Sequence, residues 1–253
     1  ICESGKYQSH DLVPNATCLL CPQGRYLLDT ATSSTLHNNL NQCLFCVKGT
    51  QPTDQTTSCS ICPAGKTQHQ NDNAAAVCVH CPVGTYLLDD ATSASLHSNP
   101  NSQCLFCVQG KELTSQTTPC TICESGQYQD QDLVPSATCL LCPQGRYLLD
   151  NATSTTLHNH LNQCLYCQLG MRFTTISENC TTCAAGFYQD QQDTIVLECK
   201  LCPEGKYLID KATSATHHNN INQCEYCVRG NYFVLPSVEC DVCGHGKFQD
   251  ETN

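Results

Sequence analysis

Cysteine is the one reactive side chain this protein carries in quantity: 25 residues in 253. They fall in CxxC pairs at 18/21, 43/46, 59/62, 78/81, 104/107, 120/123, 139/142, 164/167, 180/183, 199/202, 224/227 and 240/243, with Cys2 as a half-pair. Such pairs serve three chemistries. A redox pair needs one lowered thiol pKa on a βαβ scaffold, and twelve pairs without that scaffold do not fit. Zinc needs thiolates in fours. The 12-residue separations are a fair zinc spacing, but the full series does not divide cleanly into fours. Proline stands where a knuckle glycine belongs, at Pro22, Pro63, Pro82, Pro143 and Pro203. Disulfide staples remain.

The simplest staple pattern joins the second cysteine of one pair to the first of the next. It links Cys2 with Cys18, Cys21 with Cys43, Cys46 with Cys59, Cys62 with Cys78, Cys81 with Cys104 and Cys107 with Cys120. It continues with Cys123 and Cys139, Cys142 and Cys164, Cys167 and Cys180, Cys183 and Cys199, Cys202 and Cys224, Cys227 and Cys240. Cys243 is left over, with a partner expected past residue 253. A crossed pairing of neighbouring CxxC units is the rival, since spacing alone does not fix connectivity. Each closed loop is worth about 3 kcal/mol on the loop-entropy account.

The composition explains why staples are needed. There is no Trp, one Met and 6% aromatic residues. Such a chain buries too little apolar area to offset its own ordering, and dense cysteine is the usual substitute. The net charge is −11 with 12 Lys plus Arg, scattered singly. That excludes a basic stripe for nucleic acid. No apolar run is long enough to span a membrane in this window. The only recurring titratable residues are one Asp and one His per copy, so the chain reads as not an enzyme and as holding no metal or other cofactor.

The pairs are separated by 15, 21 and 12 residues in rotation, with 22 in place of 21 once, around Asn99-Pro100-Asn101-Ser102. This is a tandem repeat of 60 or 61 residues. Residues 1–17 end a preceding repeat; 18–77, 78–138, 139–198 and 199–253 are repeats one to four, the last truncated. The chain opens at Ile1-Cys2, the second half of the CTIC seen at 120–123, and so reads as a window of a longer protein. In each copy a glycine after the pair (Gly24, Gly84, Gly145, Gly205) permits a left-handed turn. An aromatic two residues on (Tyr26, Tyr86, Tyr147, Tyr207) re-enters over a disulfide. The shorter loops repeat this at Tyr7, Tyr128, Tyr188 and Phe248, with Thr67 as the exception. "GRYLLD" is strand-like; "TATSSTLHNNLNQ" is a poor helix, although Asp29 has the place to cap one turn. The expected fold is small, disulfide-rich and mostly irregular with short β-hairpins: an elongated tandem-repeat rod without a conventional hydrophobic core.

The pattern CPxGxY…CxxC in 21–46, 81–107, 142–167 and 202–227 resembles the cysteine-rich repeats of ephrin-receptor-like and tumour necrosis factor receptor-like ectodomains, and of growth-factor-receptor cysteine-rich regions. That resemblance implies that the loop from Cys21 to Cys43 closes on itself, as in the serial scheme. In style the chain is also similar to ciliate surface antigens and to algal flagellar-hair (mastigoneme) proteins.

Three sequons, at Asn15, Asn151 and Asn179, are candidate N-glycosylation sites. Hydroxyl clusters at Thr32-Ser33, Thr92-Ser93, Thr153-Ser154 and Thr213-Ser214 are candidates for O-linked sugars. Covalent glycans are therefore expected. His37, His97, His158 and His218 align across the copies and read as solvated loop residues. Asp29, Asp89, Asp150 and Asp210 also align and read as turn or cap residues rather than calcium ligands. The function expected is structural: a subunit of an extracellular, glycosylated fibre, appendage or surface coat, partnered by copies of itself. The alternative is a receptor or adhesin stalk at the cell surface, with Met171-Arg172-Phe173 and then Tyr232–Leu235 as its ligand-facing candidates.

Overall fold

A computed structural model describes residues 1–10, 14–195 and 197–250. Twelve disulfides join Cys2–Cys18, Cys21–Cys43, Cys46–Cys59, Cys62–Cys78, Cys81–Cys104 and Cys107–Cys120, then Cys123–Cys139, Cys142–Cys164, Cys167–Cys180, Cys183–Cys199, Cys202–Cys224 and Cys227–Cys240. The pairing is serial throughout, and Cys243 has no disulfide partner among the described residues.

Between the staples lie two-stranded antiparallel ladders, each strand two residues long. Lys6–Tyr7 pairs with Leu19–Leu20, and Arg25–Tyr26 with Leu44–Phe45. Gln127–Tyr128 pairs with Leu140–Leu141, and Arg146–Tyr147 with Leu165–Tyr166. Strands this short cannot stand alone in water; the disulfides and their neighbours hold them. The glycine after each pair is left-handed, as at Gly24 (φ 82) and Gly145 (φ 83). Arg25 and Arg146 stack their guanidinium groups on the cross-strand Phe45 and Tyr166 rings, at 3.9 and 4.1 Å.

The polar stretch after GRYLLD forms 3-10 turns rather than an α-helix: Ser34–Leu36 and Leu40–Gln42 in the first copy, Thr155–Leu157 and Leu161–Gln163 in the third. The second copy differs for a countable reason. Its extra residue widens the last turn into the α-helical turn Pro100–Gln103, with Pro at the start and the Asn99 side chain accepting from the Asn101 amide at 3.0 Å. The insertion is absorbed before Cys104, so the disulfide is undisturbed.

The chain forms two compact units. One comprises Ile1–Val108, Leu113–Thr121 and Asp132–Ala137; the other Gln109–Glu112, Ile122–Gln131 and Thr138–Asn253. In the first unit, backbone hydrogen bonds pass from loop to loop. Gly5 and Gly65 donate to the Leu27 and Leu87 carbonyls, and those leucines donate to Gln55 and Gln116. In the second unit Gly126 and Gly186 donate to Leu148 and Leu208, which donate to Ile176 and Pro236.

Among the described residues neither unit has one central core. Each has small clusters of a disulfide and a leucine, some closed by an aromatic from the preceding loop. Cys21, Cys43 and Leu27 pack under Tyr7. Cys142, Cys164 and Leu148 pack under Tyr128, and Tyr188 joins Cys202, Cys224 and Leu208. The aromatic thus covers the disulfide of the next loop, where the largest flat apolar body does most. The cluster of Cys81, Cys104 and Leu87 has no aromatic among the described residues. Thr67, at the equivalent sequence position, is fully buried with a hydroxyl that lacks a partner among the described residues. Thr67→Val replaces that hydroxyl with a methyl of similar size. It is expected to stabilise the Lys66–Thr67 hairpin by about 1 kcal/mol, read as slower amide exchange there.

Candidate functional site

The constellation repeated in every copy is an aspartate, a threonine and a histidine. An alanine in the left-handed region (Ala31, φ 63; Ala91, φ 56; Ala152, φ 54; Ala212, φ 59) bends the chain sharply after the aspartate. The bend turns the next residues back onto the carboxylate. The Thr32 amide donates to Asp29 Oδ2 at 2.9 Å and the Ser33 amide to the same oxygen at 3.4 Å, while the Thr32 hydroxyl donates to Oδ1. Asp89, Asp150 and Asp210 hold Thr92, Thr153 and Thr213 the same way. These aspartates are therefore turn residues.

The histidines correct the expectation of solvated side chains. His37 is 3% exposed and His97, His158 and His218 are fully buried. Each Nε2 lies 2.9 Å from Oδ2 of the aspartate eight residues before it. Each Nδ1 lies 2.7 Å from a backbone carbonyl 31 residues earlier, that of Lys6, Lys66, Gln127 or Phe187. The histidine backbone completes the contact: the Gln8, Gln68, Gln129 and Gln189 amides donate to the four histidine carbonyls at 2.8 to 2.9 Å. The ring sits in the long loop of one disulfide and grips the strand of the loop before it. It thus clamps Cys21–Cys43 onto Cys2–Cys18, Cys81–Cys104 onto Cys62–Cys78, Cys142–Cys164 onto Cys123–Cys139, and Cys202–Cys224 onto Cys183–Cys199.

The carboxyl groups of Asp29, Asp89 and Asp150 are lowered from the ordinary 3.8 to about 2. The threonine hydroxyl contributes most; histidine and backbone donors add to it against an opposing push from burial. Asp210 is lowered by Thr213 first, with His218 and His217 contributing. The sign follows. The folded state prefers the ionised carboxylates, so their stabilisation is complete above about pH 4 and is lost as the pH falls towards 2. The clamped loops are expected to stay closed at pH 4.5 and to loosen cooperatively between pH 4 and 2, measured by near-UV dichroism with the disulfides intact.

The sugar candidates lie among these contacts. Asn15, Asn151 and Asn179 are exposed. Asn151 precedes the left-handed Ala152, and Cys180, inside the third sequon, is buried in its disulfide with Cys167. The Thr32, Thr92, Thr153 and Thr213 hydroxyls donate to aspartates. Ser33, Ser93, Ser154 and Ser214 exchange hydrogen bonds with Thr35, Ser95, Thr156 and Thr216 at 2.7 to 2.8 Å. Met171 and Phe173, singled out from sequence as ligand-facing, pack against the cluster of Cys167, Cys180 and Leu197. Phe173 and Arg172 also line a cavity of about 640 Å³ with Phe187, Leu197 and Glu198.

Serial staples, short hairpins and a clamp in every copy define a tandem array of cysteine-rich repeat modules. The family model described as tyrosine-protein kinase ephrin type A/B receptor-like matches residues 170–220. The chain is similar to the Sushi, von Willebrand factor type A, EGF and pentraxin domain-containing protein 1 of Mus musculus, at 32% identity over 89 residues. That match covers 35% of this chain and 2% of the relative, and the Rattus norvegicus protein matches equally. It is also similar to cysteine repeat modular protein 2 of Tetrahymena thermophila, at 24% identity over 253 residues, covering 96% of this chain and 12% of the relative. The chain thus spans a small fraction of the length of these curated relatives. It is a disulfide-rich cysteine-repeat protein of the extracellular type. No helix among the described residues is long and apolar enough to cross a membrane.

Proposed function

We propose that the chain is a structural segment of an extracellular fibre, appendage or surface coat, glycosylated at Asn15, Asn151 and Asn179 and assembling with copies of itself. The observation that carries this reading is the recurrence of one clamp, at unchanged distances, in four successive copies. A lattice or filament needs equivalent contacts at a fixed step, whereas a catalytic or ligand-reading site needs one copy to differ. In this reading the chain is no catalyst and binds no cofactor. Negative-stain microscopy of the secreted, oxidised chain is expected to show polymers with a regular axial repeat; isolated particles at every concentration would overturn it.

One observation favours a second reading, a receptor or adhesin stalk. The cavity beside Arg172 and Phe173 lies inside the stretch matched by the receptor-like family model. A stalk reading predicts that Phe173→Ser abolishes capture of a protein ligand by the isolated particles while leaving the disulfides intact.

A further inference from the structure

We infer that each clamp histidine is a buried imidazolium, and that the four together form a proton-dependent latch between consecutive disulfide loops. The argument is a count of donors and acceptors. The Lys6, Lys66, Gln127 and Phe187 carbonyls only accept, so the 2.7 Å contact puts a proton on Nδ1. The 2.9 Å contact from Nε2 to the aspartate Oδ2 needs a proton as well. That proton sits either on the ring or on the carboxyl group. The carboxylates already accept from a threonine hydroxyl and a threonine amide, which favours their ionised form. The proton therefore resides on the imidazole, and both ring nitrogens donate. A neutral ring would leave either the carbonyl or the carboxylate facing a lone pair of an imidazole that is itself closed to water.

Among the described residues, one further titratable side chain pairs with a clamp aspartate. In the fourth copy His217 approaches the second carboxylate oxygen of Asp210 at 3.4 Å, from an exposed position. The carbonyl that meets the clamp ring belongs to Lys6 or Lys66 in two copies and to Gln127 or Phe187 in the others. The Lys6 ammonium is paired with Glu3. The clamp has the same dimensions with and without a lysine there, so the aspartate is the counter-charge that matters. The sign is opposite to that of a histidine buried neutral. The latch holds while the carboxylates are ionised and the rings carry both protons, and it is released when a ring gives up its proton, while the disulfides stay closed. The covalent ladder is then indifferent to pH, and the coupling between its rungs is not.

Long-range proton–nitrogen spectra of the histidine rings in the intact, oxidised chain test this. At pH 7.5 four rings, those of His37, His97, His158 and His218, are expected with both nitrogens protonated. As the pH is raised to 10, the Gln8, Gln68, Gln129 and Gln189 amide signals should move together with ring deprotonation. Asp150→Asn is expected to convert one ring of the four, His158, to the neutral Nδ1–H form. A bare ring nitrogen on the four clamp histidines of the unsubstituted chain at pH 7.5, or amides that ignore ring deprotonation, would overturn the inference. The first measurement needs no variant to fold, and none depends on polymer formation.

Discussion

Replacing Gly170 by alanine is expected to destabilise its repeat by about 4 kcal/mol, a large effect for a single methyl. Two separate causes add. The residue has φ 80, a conformation that costs an L side chain on the order of 1–2 kcal/mol. A Cβ there would also stand 2.0 Å from the Ala215 carbonyl oxygen and 2.8 Å from its carbon. Backbone cannot move aside as a side chain does, and overpacking of this kind adds roughly 1–3 kcal/mol. The position is pinned from three directions: the Gly170 amide donates to Gln189 at 2.8 Å, its carbonyl accepts from Cys183 at 2.9 Å, and the chain of the next long loop lies against it. Gly230, one repeat later, supplies the control. It has φ 86 and none of the described residues within 4 Å of the place a methyl would occupy, so Gly230→Ala in this 253-residue chain is expected to show the conformational cost alone, about 1 kcal/mol. Hydrogen exchange at residue 170 and at Cys183 reads the first variant, and at Cys243 the second. Equal effects would mean that the approach to Ala215 contributes nothing.

The contrast between those glycines marks where sequence reading stops. The staple order was legible because spacing in rotation leaves few simple pairings, and short strands with small clusters followed from a composition that cannot build a larger core. The turn role of Asp29, Asp89, Asp150 and Asp210 was legible from a short polar side chain ahead of Thr and Ser. The histidines were not. A ring amid Ser and Asn looks solvated when only its own loop is considered; it is buried because the loop before it is brought against it, 31 residues away. The signal present was a fixed interval: Asp29 and His37, Asp89 and His97, Asp150 and His158, Asp210 and His218 are each eight apart while residues between them vary. The buried Gln68, Gln129 and Gln189 were missed for the same reason, although each follows the strand that the histidine grips.

Opening one ring, with Cys142→Ala and Cys164→Ala together, is expected to cost about 3 kcal/mol, since the bond spans 22 residues. Where that loss is felt is the sharper expectation. Leu148 loses the sulfurs it packs on, and Tyr128, Leu161 and Ile176 lose the cluster they cover. The His158 clamp to Gln127 then hangs on a loop whose ends are free. Its neighbours keep their own staples, Cys123–Cys139 and Cys167–Cys180. In an array where each unit leans mainly on the next, stability is a sum of local and nearest-neighbour contributions rather than one cooperative total. Exchange should therefore accelerate across 142–164 and at the Gly126 and Gln129 amides that bond to it. Residues 21–43, held by a staple and clamp of their own, should exchange at the unmodified rate. Global unfolding of the double variant would show instead that the modules stand or fall together, and that the clamps, not the sulfur bridges, set the unit of cooperativity.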